Sequence, residues 1–521
     1  MSPVKRSTFS SLSDRGVPGR RGFAKSIPTL ALGFLISSLL ALTALAQERI
    51  ITHGSPDYPS GPPYAEVPSP DTYKFRDMRD ELRNKTTGTF TLSTVGDLFF
   101  QVPVSQRMSP QLRDALRNAD ITAGNFEGGV SPYPEQRAKV MADLGFDLLA
   151  PGEQDSVAEI QARAKYLAPL GIQVAGAGMT LAEARKPVLQ EVPQGLVAFL
   201  AACPGRDLCG DPATATGPGM NPLGLTVWNT VTATQFNQLK ALRDSILARR
   251  TEPGILLPSA LPPDEPAGRI VLFGQNYVIA DKPGEIHYEV DKADEQAQIL
   301  AVRNAKEIAD FVIFHMHVHQ NRFAFQHYSI ENYPPDFQRP FIHKLIDNGL
   351  DMYFGSGVHT MQGIEIYKGR PIFYNHGNLG ADLARRITAP VGRDSDGLLP
   401  GPAGMTPTER NERTWLNSVF WRDTTSSMAY IGNTIYKDGR LSEIRIYPVD
   451  IALGKKAWSR ENIPQTPTPE RARFILERIQ EYSAPFATKI SIENNIGIIR
   501  VPPEATVDIG GDLNIPGRGT R

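Results

Sequence analysis

From Thr89 onward, short apolar runs alternate with stretches of helical spacing, and the runs repeatedly end at a polar residue. Residues 89–95 alternate with the two-residue period of a strand and stop at Gly96-Asp97. Helical spacing over 110–118 follows, then a short strand at 121–123 closing on Gly124-Asn125. The same rhythm continues with a helix over 136–144, a strand at 147–150, a helix over 157–170 and a strand at 172–174. Further along come strands at 197–200, 311–314 and 352–354, with helices over 296–309 and 341–348. This alternation predicts an α/β fold with functional groups at the carboxyl ends of its strands.

Around this core the chain changes character. Lys5, Arg6, Arg15, Arg20, Arg21 and Lys25 form a basic leader, residues 27–45 are apolar, and Ala44-Leu45-Ala46 offers a small-x-small cleavage pattern. The expected reading is a signal peptide over 1–46, the alternative being an uncleaved anchor. Arg20-Arg21-Gly22-Phe23-Ala24-Lys25 resembles the twin-arginine export consensus, so a periplasmic location is expected. Residues 47–88, rich in proline and charge, read as an extended arm. The main domain is expected over 89–380 with an insertion at 203–269, which includes a helix over 233–249. Residues 381–501 are expected to form a C-terminal part of the same fold, with strands at 427–436 and 441–447 and a helix over 469–482; 502–521 read as a loose tail. Cys203 and Cys209 are the only cysteines, and an oxidising compartment predicts a disulfide between them. A net charge of -1 lacks the basic excess of a nucleic-acid or membrane-surface binder, so no nucleic-acid partner is expected.

The densest chemical signal is His315-Met316-His317-Val318-His319, three of the chain's nine histidines within five residues. If the 311–314 strand continues through them, side chains two apart share a face and three imidazoles converge. That pattern suits Zn²⁺, Mn²⁺ or Fe, while the alternative is loop histidines bonded to backbone or solvent. Asp97, Asn125, Glu127, His359 and His376 also sit directly after apolar runs, and that repetition exceeds what scattered turn caps require.

The order of these segments resembles a family. Gly96-Asp97-Leu98-Phe99, Asn125-Phe126-Glu127, Leu170-Gly171-Ile172 with Ala177-Gly178, Phe311-Val312-Ile313 to His317, Gln362-Gly363-Ile364-Glu365 and Ile372 to Asn378 are similar to successive motifs of the poly-γ-glutamate capsule-synthesis CapA proteins. The resemblance runs from about Phe90 to Gly380, with a weaker echo to about Val501. It implies a metallophosphatase-like β-sandwich flanked by helices, with a smaller strand-containing C-terminal extension. It places the retained polar groups at Asp97, Asn125, Glu127, His317 and His359. The chain departs from the family where an Asn-Asn-His triplet is replaced by Glu153-Gln154-Asp155 and where a three-histidine loop keeps only His359.

The combined expectation is a divalent-metal site (Mn, Zn or Fe) built from Asp97, Asn125, His315, His317, His359 and His376. Glu127, Asp155 and His319 are the candidate catalytic groups. The function so implied is a metal-dependent hydrolase or transferase in the synthesis or processing of a capsule polymer, with an anionic polymer or phosphoester as substrate and envelope polymer-synthesis machinery as partner. A polymer- or partner-binding scaffold with a degenerate metal site and a plain phosphoesterase are the alternatives.

Overall fold

The computed structural model describes residues 82–99, 104–127, 134–152, 157–205, 210–249, 252–254, 266–323, 332–381, 427–451 and 463–502. The chain divides into two units, 1–75 and 76–521, and every described residue belongs to the second. The leader and the arm up to residue 81 therefore lie outside the description, as do Asp155, Cys209 and the tail from 503.

Two large sheets form the framework. In the first, Thr89–Phe99, Ile121–Phe126, Leu148–Pro151 and Gln173–Val174 run parallel and side by side. On the other flank of Thr89–Phe99 lies Met428–Lys437, antiparallel, followed by Arg440–Asp450, Ile496–Arg500 and Ser491–Glu493. The two long C-terminal strands thus complete the first sheet. In the second sheet Gly195–Pro204, Phe311–Val318, Met352–Gly357 and Arg370–Phe373 are parallel, and the antiparallel strands Val188–Val192 and Ile364–Tyr367 lie at its two ends.

The apolar pattern explains the layering. Phe90, Leu92, Ile121 and Ala123 of the first sheet share one core with Phe199, Ile313, Phe354 and Phe373 of the second. Successive strand side chains point to opposite faces, so the alternate residues pack outward. Val95, Leu98, Phe126 and Leu149 meet Leu112 and Leu116 of helix Pro110–Arg117 and Met141 and Leu144 of helix Pro134–Leu144. Val312, Phe314, Met316 and Tyr353 meet Val302 of helix Lys292–Ile308 and Phe341, Ile342 and Leu345 of helix Gln338–Asp347. The result is a β-sandwich flanked by helices, and double-sided burial accounts for the unbroken apolar run Phe311–Phe314. C-terminal helix Pro469–Ser483 adds Ile475, Leu476 and Ile479 to the inter-sheet core.

The segment after Pro204 builds a separate four-stranded sheet from Arg269–Leu272, Gln275–Ile279, Leu225–Val231 and Ile286–Val290. Its helix, Ala233–Ala248, starts at a capping box of Thr232 and Gln235. The sheet reaches beyond Arg269 to Val290, where Asp291 caps helix Lys292–Ile308 by accepting from the Ala293 and Asp294 amides. Cys203 is disulfide-bonded. Among the described residues no helix is long and apolar enough to cross a membrane.

Candidate metal centre

At the carboxyl ends of the central strands the two sheets bring their polar groups together. Asp97 stands opposite Asn125 in the parallel pairing of Thr89–Phe99 with Ile121–Phe126, just after a break in register. Across the sandwich, strand Phe311–Val318 runs four residues past Phe314 and takes in His315 and His317. Val312, Phe314, Met316 and Val318 pack toward the helices, so His315 and His317 face the first sheet. His319 follows the strand end, and His359 enters from the loop after Met352–Gly357 with φ +59°. A left-handed backbone at a residue with a Cβ is held only where its surroundings demand it. Here it delivers Nδ1 to 3.0 Å from both Asp97 Oδ2 and Asn378 Oδ1.

Asp97 and Asn125 are fully buried, Glu127, His317 and His319 nearly so, and His359 is the partly open member. The Asn125 amide nitrogen donates to Asp97 Oδ1 and Glu127 Oε2, each at 2.7 Å, and also lies 3.0 Å from His317 Nδ1. The Gly357 amide donates to Asp97 Oδ2 at 3.2 Å. His317 and His319 meet through their Nε2 atoms at 2.8 Å, so one donates and the other accepts.

The residues fit a divalent cation. Ligand atoms of Asp97, Glu127 and His317 lie within 4.8 Å of one another, as do those of Glu127, His319 and His359, so Glu127 is common to both groups. Asn125 gives the sharper test. Its nitrogen, with two hydrogens, lies within hydrogen-bond distance of two carboxylate oxygens and of His317 Nδ1, while its Oδ1 is buried without a hydrogen-bond partner among the described residues. Carboxylates and imidazole crowded around one point, beside an unused amide oxygen, are what a cation would satisfy.

The electrostatics agree. Burial alone would raise the Asp97 carboxyl, but the hydrogen bond and charge of His359, the charge of His317 and the Asn125 donor hold it below the usual carboxylate range. Burial, reinforced by His317 and His359, keeps the His319 imidazole well below its ordinary value. Burial and His317 do the same for His315, and burial pushes His376 down to about 3. Neutral imidazole is the form that ligates metal, and within the two ligand groups it is His319 that burial holds in that form.

Six of the residues singled out in the sequence converge here: Asp97, Asn125, Glu127, His317, His319 and His359. His319, expected as a catalytic group, stands within one of the two ligand groups. His315 and His376 sit behind the centre and belong to neither group. His315 Nε2 lies 2.9 Å from Ser356 Oγ, whose oxygen is also 3.2 Å from His317 Nδ1. His376 Nε2 lies 2.9 Å from Thr94 Oγ1, and its ring stacks on Phe373 at 5.0 Å. Asp155 lies outside the described residues. Sequence reasoning assigned no role to Ser356, the Gly357 amide or Asn378, although all three stand in motif segments, Gly355 to His359 and Ile372 to Asn378.

The fold and site together define an α/β sandwich protein with a buried carboxylate–imidazole centre at its strand ends. Residues 91–382 match the family described as bacterial capsule synthesis protein PGA_cap, and the chain belongs to that family. It is 30% identical over 454 residues to the uncharacterized protein y4sH of Sinorhizobium fredii, covering 79% of this chain and 93% of that one. It is 33% identical over 90 residues to the PGA biosynthesis protein CapA of Bacillus subtilis, a match spanning 17% of this chain and 22% of that one. Among solved structures, Haemophilus influenzae NAD nucleotidase overlaps at a TM-score of 0.29 with 10% identity, over 75% of this chain and 56% of that chain. An overlap that weak says nothing about activity.

Proposed function

We propose that this capsule-synthesis family member is a metal-dependent hydrolase or transferase acting on an anionic envelope polymer of the poly-γ-glutamate type. The observation that carries the reading is the convergence on Asn125 of Asp97, Glu127 and His317, with the amide oxygen left over. Asp97, Glu127 and His317 would hold one cation, and Glu127, His319 and His359 would present a second group. Such an ion supplies Lewis acidity and lowers the pKa of bound water. Around it, Asn378 orients His359 through Nδ1, and Ser356 orients His317. The leader supports export by the twin-arginine route, which carries folded and metal-loaded protein to the periplasm.

Elemental analysis of protein recovered from the periplasmic fraction, beside a His317→Ala variant and with poly-γ-glutamate as the polymer assayed, tests the whole reading. We expect about one or two equivalents of a transition metal, lost with turnover in the variant. Wild-type protein devoid of metal would leave a polymer-binding scaffold as the reading, and its absence from the periplasmic fraction would remove the export step.

A further inference from the structure

Helix Pro134–Leu144 buries Arg137 together with Ala138, Val140, Met141 and Leu144. That spacing puts a guanidinium on the core-facing stripe of an amphipathic helix, where an apolar side chain belongs. Arg137 is 1% exposed and is the largest fully buried side chain among the described residues. A charge is tolerated there only when its donors are used. Its Nη2 donates to the backbone oxygen of Glu127 at 2.8 Å and reaches that of Leu98 at 3.5 Å. Its guanidinium carbon lies 4.5 Å from the Phe126 ring centroid. Leu98 follows Asp97 and Phe126 precedes Glu127, so one side chain on the outer face of the sheet grips both strand ends that carry the buried carboxylates. It does so through backbone atoms.

We infer that Arg137 is a positioning residue that fixes the separation of the Asp97- and Glu127-bearing strand ends, and thereby the cation affinity of the centre. The affinity half of this inference rests on the metal-dependent reading above; the clamping half does not. Both carbonyls are reached from the one Nη2, held by a guanidinium that lies over the Phe126 ring, an arrangement that an ammonium on a flexible stem does not reproduce equally well.

Arg137→Met and Arg137→Lys in the full chain separate the possibilities through two readouts. The first is hydrogen exchange of the metal-free protein, followed in peptides covering residues 97–99 and 125–127. The second is Mn²⁺ affinity by titration calorimetry. Arg137→Met is expected to lose exchange protection selectively in those two peptides and to bind Mn²⁺ roughly 10–100-fold more weakly. Arg137→Lys should fall between it and the wild type, and it carries the comparison if the methionine variant fails to fold. Unchanged protection at both peptides, or an equal loss throughout the molecule, overturns the clamp. Selective loss of protection with unchanged Mn²⁺ affinity overturns the link to the centre. A wild-type protein that binds none of Mn²⁺, Zn²⁺ and Fe²⁺ in the same titration refutes the metal reading and with it that link, while the exchange data still decide the clamp.

Discussion

At Asn125 a single amide carries an unusual load. Its nitrogen lies between two carboxylates and an imidazole, and its hydrogens offset the repulsion between Asp97 and Glu127. Asn125→Asp replaces that donor with a third buried acid. Without a cation, the variant should lose roughly 3 kcal/mol of stability, the scale of a broken buried charged network. A divalent ion would be held by the added carboxylate, so Mn²⁺ should restore more stability to the variant than it adds to the wild type. Denaturant unfolding in EDTA and in Mn²⁺ checks this, and an identical deficit in both media would sink it. The sequence exposed Asp97, Asn125, Glu127 and His317 because each stands where an apolar strand gives way to polar residues. Direction was harder to read. His315 shares a face with His317 yet spends its Nε2 on Ser356, and His376 turns to Thr94 beneath the centre. Arg137 gave no signal, because arginine on a helix ordinarily reads as a solvent-facing residue.

Between elements, the geometry of the centre depends on how closely Thr89–Phe99 and Asn378–Ala381 approach. The register of that parallel pair shifts between Asp97 and Leu98, and the Asp97 amide donates to the Gly377 oxygen at 3.3 Å. A Cβ at Gly96 would collide with that same backbone oxygen, which has no flexible side chain through which to yield. Gly96→Ala should therefore cost about 1–3 kcal/mol, the usual penalty for overpacking. It should also displace Asp97 from Gly357 and His359. Urea unfolding measures the first effect, and an unchanged midpoint would show that the strands separate freely. Most of the strongly periodic elements were legible: strand 311–314 and helices 341–348 and 469–482 lie where the structure has Phe311–Val318, Gln338–Asp347 and Pro469–Ser483. Strands Ile364–Tyr367, Arg370–Phe373 and Asn378–Ala381 escaped notice as strands. Each is four residues long and no helical stretch separates one from the next; such alternation is what marked the equally short strands at 121–123 and 172–174.

Over the whole molecule, the same family motif that helped in reading the sequence serves the scaffold. Glu365, from Gln362-Gly363-Ile364-Glu365, lies outside both ligand groups and ties layers together. Arg339 and His343 of helix Gln338–Asp347 reach its Oε1 at 2.9 and 3.0 Å, and the Tyr374 hydroxyl donates to Oε2 at 2.6 Å. One residue earlier, the Ile364 amide donates to Ser483 Oγ at the end of the C-terminal helix, which extends the tie to the segment that closes the core. Burial by itself would raise the Glu365 carboxyl, but His343, Arg339 and Tyr374 outweigh it and bring it down to about 2. A carboxyl depressed in the folded state adds stability above its unfolded value, near 4.5, and loses that contribution as the pH falls toward 2. Because Arg339 is half exposed, solvent screening limits the effect to about 1–2 kcal/mol. Glu365→Gln should therefore be less stable than the wild type at pH 7, with the gap narrowing steadily between pH 4.5 and pH 2.5. Urea titrations across that range decide it. A gap that stays constant would mean that Glu365 acts through shape and neutral hydrogen bonds, and the charge would then have no part in holding the helix layer to the second sheet.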